Sequence, residues 1–401
     1  MNEERDNMPK IKNGHLQMTL LHNGAISQIV DDGIMVNQIK GNALDGSLSN
    51  IYLRIKTMNN WEYTPLTGPS AASQVTYSNN AVLWQGNFHQ IAYQVKLLLG
   101  VDQWFWQVNL TSSTEVEADL TYVQDLGLGE AGFVSSNEAY ASQYLDHFVS
   151  HQDSHIAIAT RQNQAQKGGY PYLQEGSFAE LDSFSTDGIQ FFGTTYRQNN
   201  IPVAMQQEKL ENKNYQYELG LTALRTKSFE VTQTATEVVF YDAFQVSQPD
   251  ANQTLLFDSM NLQQMYQNVL SQATTPTTEL SSTKLALPFA EPIAGKPYTS
   301  AELQELFVNQ QQVEKDQNGQ VLSFFTNDNS HVVLPSKEIA QQRQTGNIIL
   351  AGRTITPGTP LLASTQFMSG IFQSHIVFGN TNMNILATNV RDPYNLFKVT
   401  G

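Results

Sequence analysis

Between Tyr140 and His147, two aromatic rings, an amide, a carboxylate and an imidazole fall within eight consecutive positions: Tyr140, Gln143, Tyr144, Asp146 and His147. Such a mixture can hydrogen-bond a sugar's hydroxyls while a flat ring stacks on the pyranose C–H face. The alternative is a capped helical turn, in which Asp146 and His147 satisfy neighbouring backbone groups. Asp146 and His147 are adjacent, so on a strand they would point to opposite faces; adjacency alone makes no acid–base pair. Trp104 and Trp106 would share one face of a strand, with Phe105 opposite. Exposed, the two indoles are candidate sugar platforms; buried, they are core anchors contributing ~2–3 kcal/mol each.

Other chemistries find less support. His151 and His155 stand four apart, but no Glu is placed between them as in H-E-x-x-H. The run Ile156 to Thr160 that follows reads as strand, so no metal site is expected there. Gly127-Leu128-Gly129-Glu130 lacks a third glycine and a following helix, and reads as a loop. Asp125 and Glu130 beside it read as solvated carboxylates, and Asp187-Gly188 as a plain turn. Arg54, Arg161, Arg197, Arg225, Arg343, Arg353 and Arg391 are scattered, none within a phosphate-binding motif. The absence of cysteine excludes disulfides, thiol catalysis and thiolate metal sites. The sequence therefore assigns no catalytic residue, no metal and no cofactor.

Net charge is −15, from 37 acidic and 22 basic residues, with no basic cluster, so no nucleic-acid partner is expected. Only 15% of residues are charged; Gln, Asn, Ser and Thr supply most of the polarity. Met1 to Lys10 is charged and lacks an apolar core, unlike a signal peptide. No apolar run approaches the ~18 residues of a membrane helix. The expectation is a soluble, cytoplasmic protein with no membrane partner.

The elements that must position these side chains read mainly as strands. Leu16 to Leu21, Ile26 to Val30, Ile51 to Ile55, Ala81 to Gln85, Ile91 to Leu99 and Trp104 to Leu110 alternate apolar and polar residues. His22-Asn23-Gly24 and Asp31-Asp32-Gly33 give turn signals between them. Ile156 to Thr160, Gly188 to Gly193, Tyr215 to Leu224 and Ser228 to Phe240 extend the pattern. Asp258 to Gln272 reads as a helix, because Leu262, Met265, Tyr266, Val269 and Leu270 fall at helical spacing. Thr299 to Glu302 reads as a second helix start, and Val321 to Phe325 as a later strand. These readings divide the chain into a β domain over 1–255, a helical connector over 256–312 and a second β-rich segment over 313–401.

Three stretches together carry a family likeness: Asn137 to His147, Ser185 to Gly193, and Phe372 to His375 continuing through Gly379 to Asn382. They resemble the amino-terminal β-sandwich region of the glycoside hydrolase family 94 phosphorylases, with greatest likeness to the 1,2-β-oligoglucan phosphorylase branch and the related part of cyclic β-1,2-glucan synthases. The resemblance implies a mainly β chain: a galactose-mutarotase-like β-supersandwich, a helical connector and a second, incomplete β-rich segment. In that family the general acid is a carboxylate on an (α/α)6 barrel that follows the sandwich, and this chain reaches Gly401 before any such barrel. The implied role is a non-catalytic amino-terminal region of an inverting β-glucan phosphorylase or related glycosyl-transferring enzyme, serving as scaffold, dimer contact and contributor to the sugar site. The complete enzyme would take a β-glucan oligosaccharide and phosphate, and the family likeness implies a homodimer. Two rivals stand beside it: a stand-alone carbohydrate-binding scaffold, and an aldose epimerase, which would need a His acid and a Glu base across one sugar.

Overall fold

The computed structural model describes residues 8–42, 46–58, 60–136, 141–152, 155–194, 196, 201–216, 219–280, 301, 304–305, 307–315, 319, 321–325, 331–333, 348–350, 384–387 and 398–400. The chain divides into two compact units, one of Met1–Tyr196 with Ile201–Leu285, the other of Ala286–Gly401 with Arg197–Asn200.

The first unit is mainly β, as the alternation predicts. Its largest sheet has nine strands in the spatial order Leu145–Gln152, His155–Gln162, Tyr172–Ser177, Thr236–Gln245, Gln103–Ser112, Ile91–Leu99, Ala81–Phe88, Ser73–Tyr77 and Thr278–Glu279. A second sheet runs Leu181–Asp187, Gly220–Thr226, Val116–Asp125, Asn50–Lys56 and Trp61–Pro65, with Phe229–Val231 paired beside Val116–Asp125. A third joins Lys10–Asn13, Leu16–Leu20, Ile26–Asp31, Ile34–Met35 and Gly129–Glu130. The predicted turn after Ile26–Asp31 forms with φ of 44° at Asp32 and 76° at Gly33. Positive φ at both central residues matches the twist of an antiparallel pair, and only residues such as Asp and Gly tolerate it cheaply.

One apolar cluster draws on all three sheets and includes Met18, Leu53, Trp84, Trp104, Trp106, Tyr122 and Phe240. The opposite face of the nine-stranded sheet is covered by the helix Ser259–Gln272. Leu262, Tyr266 and Val269 of that helix pack with Phe105, Val239, Tyr241 and Ala243. Asp258 caps the helix, accepting the backbone N–H of Asn261 at 2.9 Å. The helix expected within the connector is thus built onto the first unit, because its Leu262–Tyr266–Val269 stripe needs the apolar outer face of the sheet.

One predicted strand is corrected. Gly188–Phe192 is a single helical turn, since the Asp187 carboxylate accepts from Ile189 N–H at 3.2 Å and Gln190 N–H at 3.1 Å. That cap satisfies donors that a strand would have needed to pair elsewhere.

The second unit contains the strands Gln311–Lys315, Val321–Phe325, His331–Val333, Ile348–Leu350, Asn384–Ala387 and Lys398–Thr400, joined in that order. The expected strand Val321 to Phe325 is present. Most of the expected helix start near Thr299, and the stretch Phe372 to Asn382, lie outside the described residues.

Candidate functional site

The sequence cluster at 140–147 is divided by its own backbone. Ser142–Tyr144 forms a 3-10 turn that feeds the edge strand Leu145–Gln152. Gln143 and Tyr144 face solvent, Tyr144 at 42% exposure. Leu145 is buried in the core and His147 is buried two residues on, while the intervening Asp146 is half-buried. Tyr140 lies outside the described residues.

His147 is buried, and its Nδ1 lies 2.9 Å from the Thr160 hydroxyl across the strand pair. Burial pushes its imidazole down to about 4, so the ring is neutral near pH 7. Asp146 is pushed up by partial burial, against the opposing pull of Arg161, its partner in register. Arg161 does not reach out as a free cation. Its Nε donates to the Gln248 carbonyl at 2.7 Å, one terminal nitrogen donates to Asn163, and the guanidinium lies 4.3 Å from the Tyr170 ring centroid. The surface part of this cluster is therefore Gln143, Tyr144 and the flank of Asp146.

Trp104 and Trp106 are corrected as sugar platforms: they are 0% and 1% exposed and belong to the core between the sheets. Their alternation with Phe105, which packs under the helix, follows the strand's period of two. His151 and His155 sit on opposite strands of a hairpin, with His151 paired to Ile156 and His155 to Gln152, so they share no helix face. Among the described residues, no group of three or more His, Asp or Glu is arranged to hold a metal.

The structure does assemble ionisable groups that sequence reasoning did not single out. Glu175 and Asp242 are both 0% exposed and stand directly opposite each other on neighbouring strands. They point between the sheets and meet hydroxyls from the facing sheet. The Thr222 hydroxyl lies 2.8 and 2.9 Å from the two Glu175 oxygens. The Tyr122 hydroxyl lies 2.8 and 2.9 Å from the two Asp242 oxygens and 3.1 Å from Gln124 Oε1. One phenol proton cannot serve three acceptors. A proton on Asp242 resolves the arrangement: the carboxyl O–H donates to the Tyr122 oxygen, and Tyr122 donates to Gln124.

Burial pushes Glu175 up to about 8, opposed by the Thr222 hydrogen bond. Asp242 is held well above the usual carboxylate range by burial first and by Glu175 second. Two enclosed carboxyls without a cation between them hold protons rather than charge. They are closed to a substrate and act as a tie between the sheets.

On the other face of the second sheet, Arg54 and Arg225 are buried side chains, each 1% exposed. Arg54 forms a bidentate pair with Asp119 at 2.8 and 2.6 Å and lies 4.2 Å from the Trp61 ring centroid. It also donates to the carbonyls of Met205 and Gln207 at 3.2 and 2.7 Å. Arg225 donates to the Thr121 hydroxyl and to the carbonyls of Ala204 and Gln207, at 2.9, 2.7 and 2.9 Å. Burial first, then Arg54, pushes Arg225 down to about 9. The two guanidiniums clasp the 203–208 segment by its main chain and are spent on it.

Comparison with known proteins places this architecture. Residues 19–287 match the family model described as the SOGP N-terminal domain. Residues 307–401 match one described as a glycoside phosphorylase supersandwich domain. A 1,2-beta-oligoglucan phosphorylase of Listeria innocua serovar 6a is 32% identical over 394 residues, which is 98% of this chain and 35% of that protein. The chain thus spans 35% of the length of the curated relative it matches. Solved structures overlap it more loosely. A putative aldose 1-epimerase of Escherichia coli K12 is 7% identical, covering 60% of this chain and 99% of the other, with a TM-score of 0.35. A putative kojibiose phosphorylase from human microbiome is 7% identical, covering 66% of this chain and 32% of the other, with a TM-score of 0.29.

Proposed function

The chain belongs to the SOGP N-terminal domain family, and on that premise we propose that it is the non-catalytic scaffold region of a 1,2-β-oligoglucan-type phosphorylase. The observation that carries the reading is the identity with the Listeria phosphorylase along 98% of this chain, joined to a match with a phosphorylase supersandwich domain over residues 307–401. In this reading the complete enzyme, of the glycoside hydrolase family 94 and glycosyltransferase type, transfers a glucosyl unit from a β-glucan to phosphate with inversion. One carboxylic acid protonates the glycosidic oxygen while phosphate attacks the anomeric carbon, so no catalytic base is needed. That acid comes from outside this chain. Glu175 and Asp242, the carboxyls here best able to hold a proton at neutral pH, are enclosed and hydrogen-bonded to Thr222 and Tyr122.

Gln143, Tyr144 and Asp146 are the surface side chains we assign to sugar contact, and the assembly is a cytoplasmic homodimer. The aldose-epimerase alternative is weaker, because His147 and Glu175 are both buried against threonine hydroxyls, and the exposed His89 and Glu62 pair directly with each other at 2.9 Å rather than facing across a sugar-sized gap. The test is to incubate the purified 401-residue chain with 1,2-β-oligoglucans and phosphate. The expected result is no α-glucose 1-phosphate, with measurable oligoglucan binding that weakens in Tyr144→Ala. Turnover by this chain would sink the proposal, as would mutarotation of glucose above the uncatalysed rate.

A further inference from the structure

A cleft of about 490 Å³ opens between the helix Ser259–Gln272 and the outer face of the nine-stranded sheet. Its floor is Val239 with the rings of Phe178 and Tyr266, whose centroids are 5.7 Å apart. Phe178 is half-buried and presents part of its ring to the cleft. The helix wall carries Gln263, Gln264 and Gln267, all exposed. The strand wall carries Glu237, which accepts from the Gln107 amide at 2.6 Å. Met260, 80% exposed, lies at the rim.

This helix has no Asp, Glu, Lys, Arg or His along its fourteen residues, SMNLQQMYQNVLSQ. A solvated helix face ordinarily carries charges, as in the pairs that support exposed helices. Here it carries primary amides. Among the described residues, no Lys, Arg or His lines the cleft, and the one charged group is the Glu237 carboxylate. That balance disfavours phosphates and other anions, and favours a neutral ligand rich in hydroxyls. Each amide offers two donors and an acceptor, and a carboxylate accepts two hydroxyls. An aromatic ring at the base offers a flat surface to a pyranose C–H face.

We propose that this cleft is a glucan-holding site, separate from the Gln143–Tyr144 surface, that takes a neutral β-linked glucose unit. Gln263, Gln267 and Glu237 bond its hydroxyls, Phe178 packs against its ring, and Met260 contacts the next unit. The linkage of the glucan rests on the phosphorylase reading above. The cleft holds the polymer while chemistry proceeds elsewhere, and it rejects α-glucose 1-phosphate because a dianion would meet Glu237.

The experiment uses the whole chain labelled with ¹³C at methionine methyl groups. A 1,2-β-linked glucose tetramer is titrated against it, and the Met260 methyl resonance is followed. The expected result is a saturable shift, with a dissociation constant raised at least fivefold in the Gln263→Ala/Gln267→Ala variant. Both positions are exposed, so that variant should keep its fold, which the other methyl resonances report. α-Glucose 1-phosphate at equal concentration should leave Met260 unmoved. An unmoved Met260 with the tetramer overturns the proposal, as does an affinity unchanged in the variant or an equal response to the sugar phosphate. These outcomes are separate from the phosphorylase reading, which stands or falls on turnover by the chain.

Discussion

Raising the pH from 7 to 8 should destabilise the first unit, and Glu175→Gln should remove part of that loss. Glu175 has an ordinary value of 4.5 and sits at about 8 in the folded chain. Asp242 is displaced in the same direction. The folded chain therefore binds more protons than the unfolded chain throughout the window from 4.5 to about 8, and stability falls as pH rises through it. At ~1.4 kcal/mol per pH unit for one proton, Glu175 costs about 1 kcal/mol between pH 7 and 8 and roughly 4 kcal/mol cumulatively by pH 8. Asp242 adds to the same slope. Of two other buried groups, His147 is nearly silent in this interval and Asp31 adds roughly a third as much as Glu175, with the same sign. His147, pushed down to about 4, changes its contribution only below its ordinary 6.5 and with opposite sign. Asp31, pushed up to about 7 by burial first and then by Asp102 and Asp32, completes most of its change by pH 7. In Glu175→Gln the new carbonyl still accepts from Thr222, and the amide can donate to Asp242, easing its ionisation. The assay is urea unfolding at constant ionic strength between pH 6.5 and 8.5. Tryptophan fluorescence reports it, since all four tryptophans lie in the first unit. Stability that rises with pH above 7, or an identical slope in the variant, would refute the reasoning.

Three further outcomes are expected. Asp119→Ala strands the Arg54 guanidinium in the interior and should cost ~3–5 kcal/mol by chemical denaturation; a loss below ~1 kcal/mol would mean that the Met205 and Gln207 carbonyls suffice for Arg54. Phe105→Ala should cost ~3–5 kcal/mol and speed hydrogen exchange in the Ser259–Gln272 helix before the sheet interior, because Phe105 packs against Tyr266 at 5.3 Å between ring centroids. Asp187→Ala should cost ~1 kcal/mol through loss of the cap on Gly188–Phe192, and Asp187→Asn should recover most of it in the same melts.

Much of the architecture was legible because the strands alternate cleanly. Trp104-Phe105-Trp106 divides between two cores as its period requires, and the Leu262–Tyr266–Val269 stripe found the surface it was built to cover. The turn at Gly188–Phe192 was missed although Asp187 was in view: Ile189, Phe191 and Phe192 read as strand because an apolar run too short for a helical period carries no helix signal. The sugar cluster at 140–147 looked like one site because its residues are contiguous, whereas the strand beginning at Leu145 sends His147 inward and Asp146 outward. The buried acids were overlooked for the opposite reason. Glu175 and Asp242 are 67 positions apart, and each meets its hydroxyl partner, Thr222 or Tyr122, 47 or 120 positions away. A local signal did exist. Val238, Phe240 and Phe244 all face the inter-sheet core, so the period of two places Asp242 on that face as well.

Glu175, Asp242 and Trp104 stand side by side on three adjacent strands. Apolar patterning forbids these strands from sliding by one residue, since that would exchange the faces of every side chain. It does not forbid a slide by two. Phe240 or Phe244 would then occupy the place of Asp242, and an interior made only of hydrocarbon would accept either. The Tyr122 hydroxyl would not, because it would lose Asp242 and keep only Gln124, while Asp242 would be drawn away from the hydroxyl that partners it in the interior. The acid pair thus proofreads alignment, selecting one pairing of the strands among those that greasiness alone would leave nearly equal.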